Sequence, residues 1–448
     1  MKLPFFWDEA WSYAVAVFDM NKHGLAFFPG QGNTELTRGH PLLFYFLSAL
    51  WVKLFGESIF LIHLFSLLIS CVLLVAVFFL VKKLDKKESA LIIVTLLVLQ
   101  PIFFVQSSLL LPEIMLTLWI ILMLHSYVQK NWKLYILFSS LLVLTKETGI
   151  VAIASILIDR ILLEYLFSKP TRSFELKKTL QQLVILIIPL GLFAVFMIIQ
   201  RIRSGWFLFP EHTNFMVFDV SEIKNNLVLI KEIFFADGRK YLFVLSLMCI
   251  SFLLGRKKLD VQTSRFIALC WLFILLYLLF CSMNFFASRY LLTAVVIFII
   301  ASILPIVKSL DNTLMKIGFT LLFGLIFMYY TFFKEPVAQD VSIGYKNNIL
   351  LHQQAIHFAE DLNLSNQKIY STFLMQYYMG IPELGYLKNK KPYILRNKSD
   401  IYDMYIFCSN EKDTLYNEIA TNPEYKLLKR FANNKDWIEF YRKQIDPK

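Results

Sequence analysis

The chain has 448 residues, enough for two or three soluble domains, but it is 57% hydrophobic, only 17% charged and positive in mean hydropathy. That balance excludes an ordinary soluble enzyme and points to a membrane protein. The net charge of +12 does not imply nucleic acid: the cations fall in short clusters between apolar runs, with no basic arm, zinc-type spacing or recognition motif.

The first notable stretch is FFWDEAWSYA, residues 5–14, where Asp8 and Glu9 stand side by side among aromatics. Residues 10–57 follow with Gly24, Pro29, Gly30, Gly32 and the run Gly39-His40-Pro41-Leu42, then the amphipathic LLFYFLSALWVKLFG. This composition suits interfacial helices, with Tyr45 and Trp51 at headgroup depth. Apolar runs then recur at about 58–81, 88–107, 113–129, 133–145, 148–166, 179–200, 240–255, 266–283, 290–307 and 316–333. They predict about ten spans, several shorter than the roughly 20 residues of a perpendicular crossing. Cys71, Cys249, Cys270 and Cys281 lie in these runs and Cys408 stands apart, which gives neither a disulfide framework nor a metal cluster.

Alternate connections carry the cations: Lys82, Lys83, Lys86 and Lys87; Lys130 and Lys133; Lys169, Arg172, Lys177 and Lys178; Arg256, Lys257, Lys258 and Arg265; Lys308 and Lys316. The positive-inside rule makes these connections cytoplasmic. The others then share the far side: the segment holding Asp8 and Glu9, residues 107–113, Lys146-Glu147, the loop 201–239, residues 284–290 and everything after 334. After 334 charges of both signs become frequent and apolar runs shrink to strand length. KIYST and DMYIFCS read as buried strands, ILLHQQAIHFAEDL as an amphipathic helix, and YKLLKRF with WIEFYRK as a hairpin around Asn433-Asn434-Lys435. The expected organisation is an extracytoplasmic loop region at 1–57, a transmembrane helical domain at 58–333 and a small extracytoplasmic α/β domain at 334–448.

Taken singly, the polar residues have plain explanations. Asp8, Glu9 and Glu113 would suit solvated loops or helix N-termini, where a carboxylate offsets the macrodipole. Lys146-Glu147 would suit a tight turn, although two ionisable residues at bilayer depth cost on the order of 2.5–3.5 kcal/mol each and usually face a partner or a wet cavity. Arg289 beside Tyr290 would suit a snorkelling arginine next to an interfacial aromatic. Arg201 and Arg203 breach the positive-inside rule and hint at an anionic partner. His40, a single histidine with no partner at ligand spacing, marks no metal site, and a divalent cofactor is not indicated. Together, acids and cations on one membrane face describe a site able to deprotonate a nucleophile and stabilise an anionic leaving group.

These residues resemble the GT-C type membrane glycosyltransferases, in the bacterial branch of protein O-mannosyltransferase-like, lipid A aminoarabinose transferase-like and core galacturonosyltransferase-like proteins. Asp8-Glu9-Ala10 looks like the family's acidic motif, His40-Pro41-Leu42-Leu43 like its His-Pro-Pro-Leu element, and Phe55-Gly56-Glu57-Ser58 like its Phe-Gly turn. Glu113 stands where such proteins carry a second loop acid, Thr145-Lys146-Glu147 looks like a Thr-Lys-acid turn, and Arg289-Tyr290 resembles their Arg-Tyr pair at a late span. The resemblance runs from residue 5 to about residue 310. It implies an integral membrane enzyme that moves a sugar from a polyprenyl-phosphate donor to a lipid, glycan or protein acceptor, with inversion. Asp8 would be the base, Glu113 its assistant and Glu9 a holder of a cation; Lys146, Arg289, Tyr290 and His40 would handle the donor phosphate, supported by Glu147, Arg201 and Arg203. Leu42 departs from the element's second proline, and only seven residues precede Asp8 where the family has a span, so an upstream span is expected. A transporter or flippase for a lipid-linked glycan is the alternative; it calls for ionisable groups near mid-membrane and internal repeats, neither of which is read here.

Overall fold

The computed structural model describes residues 1–163, 176–256, 258–334, 339–362, 364, 367–393, 402–433 and 435–444. The cations expected at Lys169, Arg172 and Lys257 lie outside them. The chain is a membrane-embedded helical bundle carrying a small sheet. Segments of all ten apolar runs are helical, but crossing length is reached in five: Ile59–Leu84, Leu180–Ser204, Val261–Ser282, Ser288–Ser309 and Thr313–Phe333. The pair Val220–Phe234 and Arg239–Gly255, bent by 89°, would make a sixth. The other expected spans are shorter apolar helices, among them Pro112–Val128 and Trp132–Thr145. Prolines and polar turns divide them: the run 88–107 breaks at Gln100 before Pro101, giving Lys87–Val98 and Pro101–Gln106, and Pro112 starts the helix Pro112–Val128. Proline lacks the N–H that an interior helical position must donate and suits a first turn.

The helices are not equivalent. The apolar window of Ser288–Ser309 is 94% buried, whereas those of Leu180–Ser204 and Thr313–Phe333 are 17% buried. Ser288–Ser309 is therefore the axis of the bundle, with Val295, Val296, Ile297, Phe298, Ile299 and Ile300 fully enclosed. Pro112–Val128 packs beside it: the Thr117 and Thr293 hydroxyls meet at 2.8 Å.

Past the last long helix, Tyr345–Asp361 leads into a four-stranded sheet of order β1-β2-β4-β3. β1 (Ile369–Ser371) lies parallel to β2 (Met404–Cys408), and both are buried along their whole length. Parallel neighbours require a crossover, and the helix Phe373–Gly380 lies within it. β3 (Tyr425–Asn433) and β4 (Asp436–Lys443) form the antiparallel hairpin expected from the sequence, with a register shift between Leu427 and Lys429. Asn434 in its turn lies outside the described residues.

The two ends of the chain share one apolar cluster, in which Phe5, Phe6 and Ala10 pack with Ile356, Met375, Tyr378, Leu384 and Tyr386. Backbone groups seal it. Phe5 N–H donates to the Leu384 carbonyl at 3.2 Å, Tyr386 Oη–H to the Phe5 carbonyl at 3.0 Å, and Trp7 N–H to Tyr378 Oη at 3.1 Å. This anchoring holds the acidic pair against the end of the axial helix.

Candidate active site

Trp7 adopts a left-handed conformation, φ 46°, and the chain then winds into a π-helical turn, Glu9–Ala14. The tight reversal sends the two adjacent acids in opposite directions. Glu9, 1% exposed, points inward: its carboxylate accepts from the N–H groups of Phe6 at 3.0 Å and Leu110 at 2.6 Å and bonds His63 Nε2 at 2.9 Å. These bonds pin the N-terminal turn to the bundle. Asp8 faces the other way. Its Oδ1 accepts from Trp11 Nε1 at 2.7 Å and its Oδ2 from Arg289 Nη1.

Arg289 lies in the 3₁₀ turn Ser288–Tyr290 that opens the axial helix, and its side chain is 5% exposed. Nη1 also donates to Asp340 Oδ2 at 3.2 Å, and Nε faces Glu113 Oε1 at 3.6 Å. Glu113, in the first turn of Pro112–Val128, accepts from Lys146 Nζ at 2.9 Å. Lys146 lies 4.0 Å above the centre of the Tyr290 ring, a cation–π contact in a nearly dry setting. It is extended between the helix Trp132–Thr145 and the 3₁₀ turn Glu147–Gly149, so the next side chain diverges from it. Glu147 Oε2 meets His40 Nδ1 at 3.0 Å, and the His40 ring is 4.9 Å from that of His212. Asp8, Arg289, Asp340, Glu113, Lys146 and Tyr290 thus form one connected cluster, and Glu147, His40 and His212 a second one beside it, reached through the backbone from Lys146 to Glu147.

Burial and pairing set the charges. Burial works to raise the Glu147 carboxyl, but His40 and Lys146 outweigh it and hold it at about 2. Burial works against the charge on Lys146, and Glu113 more than restores it, so the ammonium is held above its ordinary range. Burial and the neighbouring His40 push His212 down to about 4, which leaves a neutral imidazole at pH 7. The donor atoms of His40, Glu147 and His212 all lie within 4.8 Å of one another. Two histidines and a carboxylate are a set that zinc or a similar ion accepts.

Sequence reasoning found Asp8, Glu113, Lys146, Glu147, Arg289, Tyr290 and His40, and the fold gathers them. It missed Asp340 and His212. Both lie in connections that the charge pattern had already placed on the same side, which was the available signal. Arg201 and Arg203 stay outside the cluster. Both are exposed and neither makes an ion pair among the described residues; Arg201 donates to the Gly205 carbonyl, and the Arg203 stem lies against Gly30.

The fold has known counterparts. Residues 39–199 match the family described as dolichyl-phosphate-mannose-protein mannosyltransferase. The fold matches the crystal structure of ArnT from Cupriavidus metallidurans in the apo state, with a TM-score of 0.56 at 10% identity, covering 98% of this chain and 94% of that one. The chain has the fold of ArnT and, over residues 39–199, is similar to that mannosyltransferase family. The ArnT structure bound to undecaprenyl phosphate matches this chain over the same shares of both chains, with a TM-score of 0.53 at 11% identity. Among curated proteins no match is found. The family match takes in His40, Glu113, Lys146 and Glu147, and the structural match extends the likeness of fold to almost the whole chain.

Proposed function

We propose that the enzyme moves a sugar from a polyprenyl-phosphate donor to a hydroxyl of a lipid, glycan or protein acceptor, with inversion at the anomeric carbon, on the extracytoplasmic face of the membrane. The observation that carries this reading is the juxtaposition of Asp8 with Arg289 and Lys146 at one end of an apolar bundle. Asp8 takes the acceptor's proton, the acceptor oxygen attacks the anomeric carbon, and the bond to the donor phosphate breaks with its electron pair on the phosphate. Lys146 and Arg289 lie where the released charge can be neutralised, and in a partly dry site such cations act far more strongly than in water. His40 stands in the second cluster beside them, behind Glu147. The polyprenyl carrier is supported by the undecaprenyl phosphate bound in the similar ArnT structure, and the sidedness by the distribution of cations among the loops.

The test is reconstitution of the purified enzyme with undecaprenyl-phosphate sugars and a panel of envelope lipids, glycans and peptides. Expected is release of undecaprenyl phosphate coupled to a new glycosidic bond of inverted configuration. Translocation of the intact donor across the vesicle bilayer without bond cleavage would replace this reading with the flippase.

A further inference from the structure

Arg289 is held unevenly. Its Nε, 3.6 Å from Glu113 Oε1, has no hydrogen-bond partner among the described residues. Nη2 reaches only the Tyr290 hydroxyl, at 3.4 Å. Nη1 alone holds two carboxylates, Asp8 from the start of the chain and Asp340 from the segment after the last long helix, the latter at 3.2 Å. A guanidinium is a planar fork whose direction is fixed by the groups that take its hydrogens, so Nη1 decides where this one points. Asp340 is well anchored for that task. Val341, the next residue, packs against the bundle core, and the ring of Tyr345 lies 5.6 Å from that of Phe6, two residues before Asp8.

We infer that Asp340 is a positioning residue for the reaction: it takes one hydrogen of Arg289 Nη1, so that Arg289 is fixed between two carboxylates and Asp8 keeps lone pairs available to the acceptor. The inference rests on the sugar-transfer reading given above. Asp340 acts through Arg289 and takes no part in bond making.

Three charged groups face Asp340: Arg289 from the axial helix, Asp8 from the N-terminal turn and Glu113 from the start of Pro112–Val128. Burial raises its carboxyl, Arg289 opposes the rise, Asp8 and Glu113 add to it, and the result is about 6. Above that pH the ionised Asp340 competes with Asp8 for Nη1. Below it, the neutral acid loosens its hold, and Arg289 pairs with Asp8 alone, tying up the carboxylate that must receive a proton. The rate therefore falls as pH drops through about 6.

Asp340→Asn keeps the shape and one acceptor but removes the charge. At pH 7.5 it should lower kcat by about tenfold to a hundredfold, the cost of a misplaced reacting group, with donor KM nearly unchanged, and it should remove the acidic limb near pH 6. Asp340→Glu should restore part of both. A stability measurement needs no substrate. Because the carboxyl is raised above its unfolded value of about 3.9, the folded enzyme holds a proton between about pH 4 and 6 that the unfolded chain does not, and this contribution to stability grows as pH falls. The melting temperature of Asp340→Asn minus that of wild type should therefore be larger at pH 7 than at pH 4.5. Equal differences at the two pH values, or an Asp340→Asn enzyme within twofold of wild type with the acidic limb intact, would overturn the assignment. Wild-type protein that transfers no sugar but shows the expected melting difference would count against the sugar-transfer reading while leaving the ionisation of Asp340 in place.

Discussion

Two aspartate–arginine pairs, each with one buried partner, lie at opposite ends of the helix Pro112–Val128, and they differ in how completely their groups are satisfied. At the far end, Asp159 is wholly buried and Arg265 grips it with Nε at 2.9 and 3.2 Å and Nη2 at 2.6 Å, while Tyr127 donates to it at 2.6 Å and accepts from Arg265 at 3.0 Å. Three helices are locked by a closed set in which every strong group has its complement. About 21 Å away along the same helix, at 1.5 Å per residue, the Asp8–Arg289 end is open. Three acids, Asp8, Glu113 and Asp340, share two permanent cations, Lys146 and Arg289, and among the described residues Glu113 Oε2 and Arg289 Nε have no hydrogen-bond partner. Unmet hydrogen-bonding capacity in a dry site is costly to stability, and a substrate is what can satisfy it.

The contrast can be broken most sharply at the open end. Asp8→Asn should lower transfer by about 10²-fold or more, the usual contribution of a general base, with thermal stability nearly unchanged; activity above about a tenth of wild type would refute the role. At the closed end the expectation reverses. Asp159→Asn strips Arg265 of its charge partner and should destabilise the enzyme by about 3 kcal/mol, the lower part of the range for a broken buried pair since Arg265 is partly solvated, while activity per folded molecule stays near wild type. Thermal unfolding in detergent, read beside turnover, separates the two. Glu9→Gln should fall between them and on the side of stability, losing about 1–3 kcal/mol through weakened bonds to Phe6, Leu110 and His63; a turnover defect in fully folded protein would return Glu9 to the chemistry. Smallest of all, Arg201→Ala and Arg203→Ala should change donor KM by no more than roughly twofold, an effect that added salt erases. A larger, salt-resistant change would extend the open site to the end of Leu176–Ser204.

Much of the open site could be read before any coordinates, because its members interrupt apolar runs at one set of connections. Glu113, Lys146, Glu147 and Arg289 announce themselves as charges bordering hydrocarbon, and the lysine and arginine pattern assigns them a common side. Asp8 and Glu9 could not be told apart, since only the left-handed turn at Trp7 and the π turn after it decide which faces Arg289. Asp340 was hidden by composition: beyond residue 334 charges are common, and one more carboxylate carries no signal until the chain folds back on its beginning. His212 was overlooked because histidines were judged by spacing along the sequence, whereas His40 and His212 meet across 172 positions. The lengths of the apolar helices were hidden for a related reason. Hydropathy registers an apolar helix whether lipid or protein surrounds it, and says little about length once prolines divide the run.

The cluster that joins Phe5 and Phe6 to Tyr378, Leu384 and Tyr386 also orders events in time. At about 5–20 residues per second of synthesis, residue 386 follows residue 6 out of the ribosome by roughly twenty seconds to more than a minute. Throughout that interval the backbone N–H of Phe5 lacks its Leu384 acceptor, that of Trp7 lacks Tyr378, and Arg289 and Asp340 have still to arrive. The opening segment therefore packs first on early-made neighbours such as Phe18 and His63, and the polar cluster around Asp8 is complete only when most of the chain has been made.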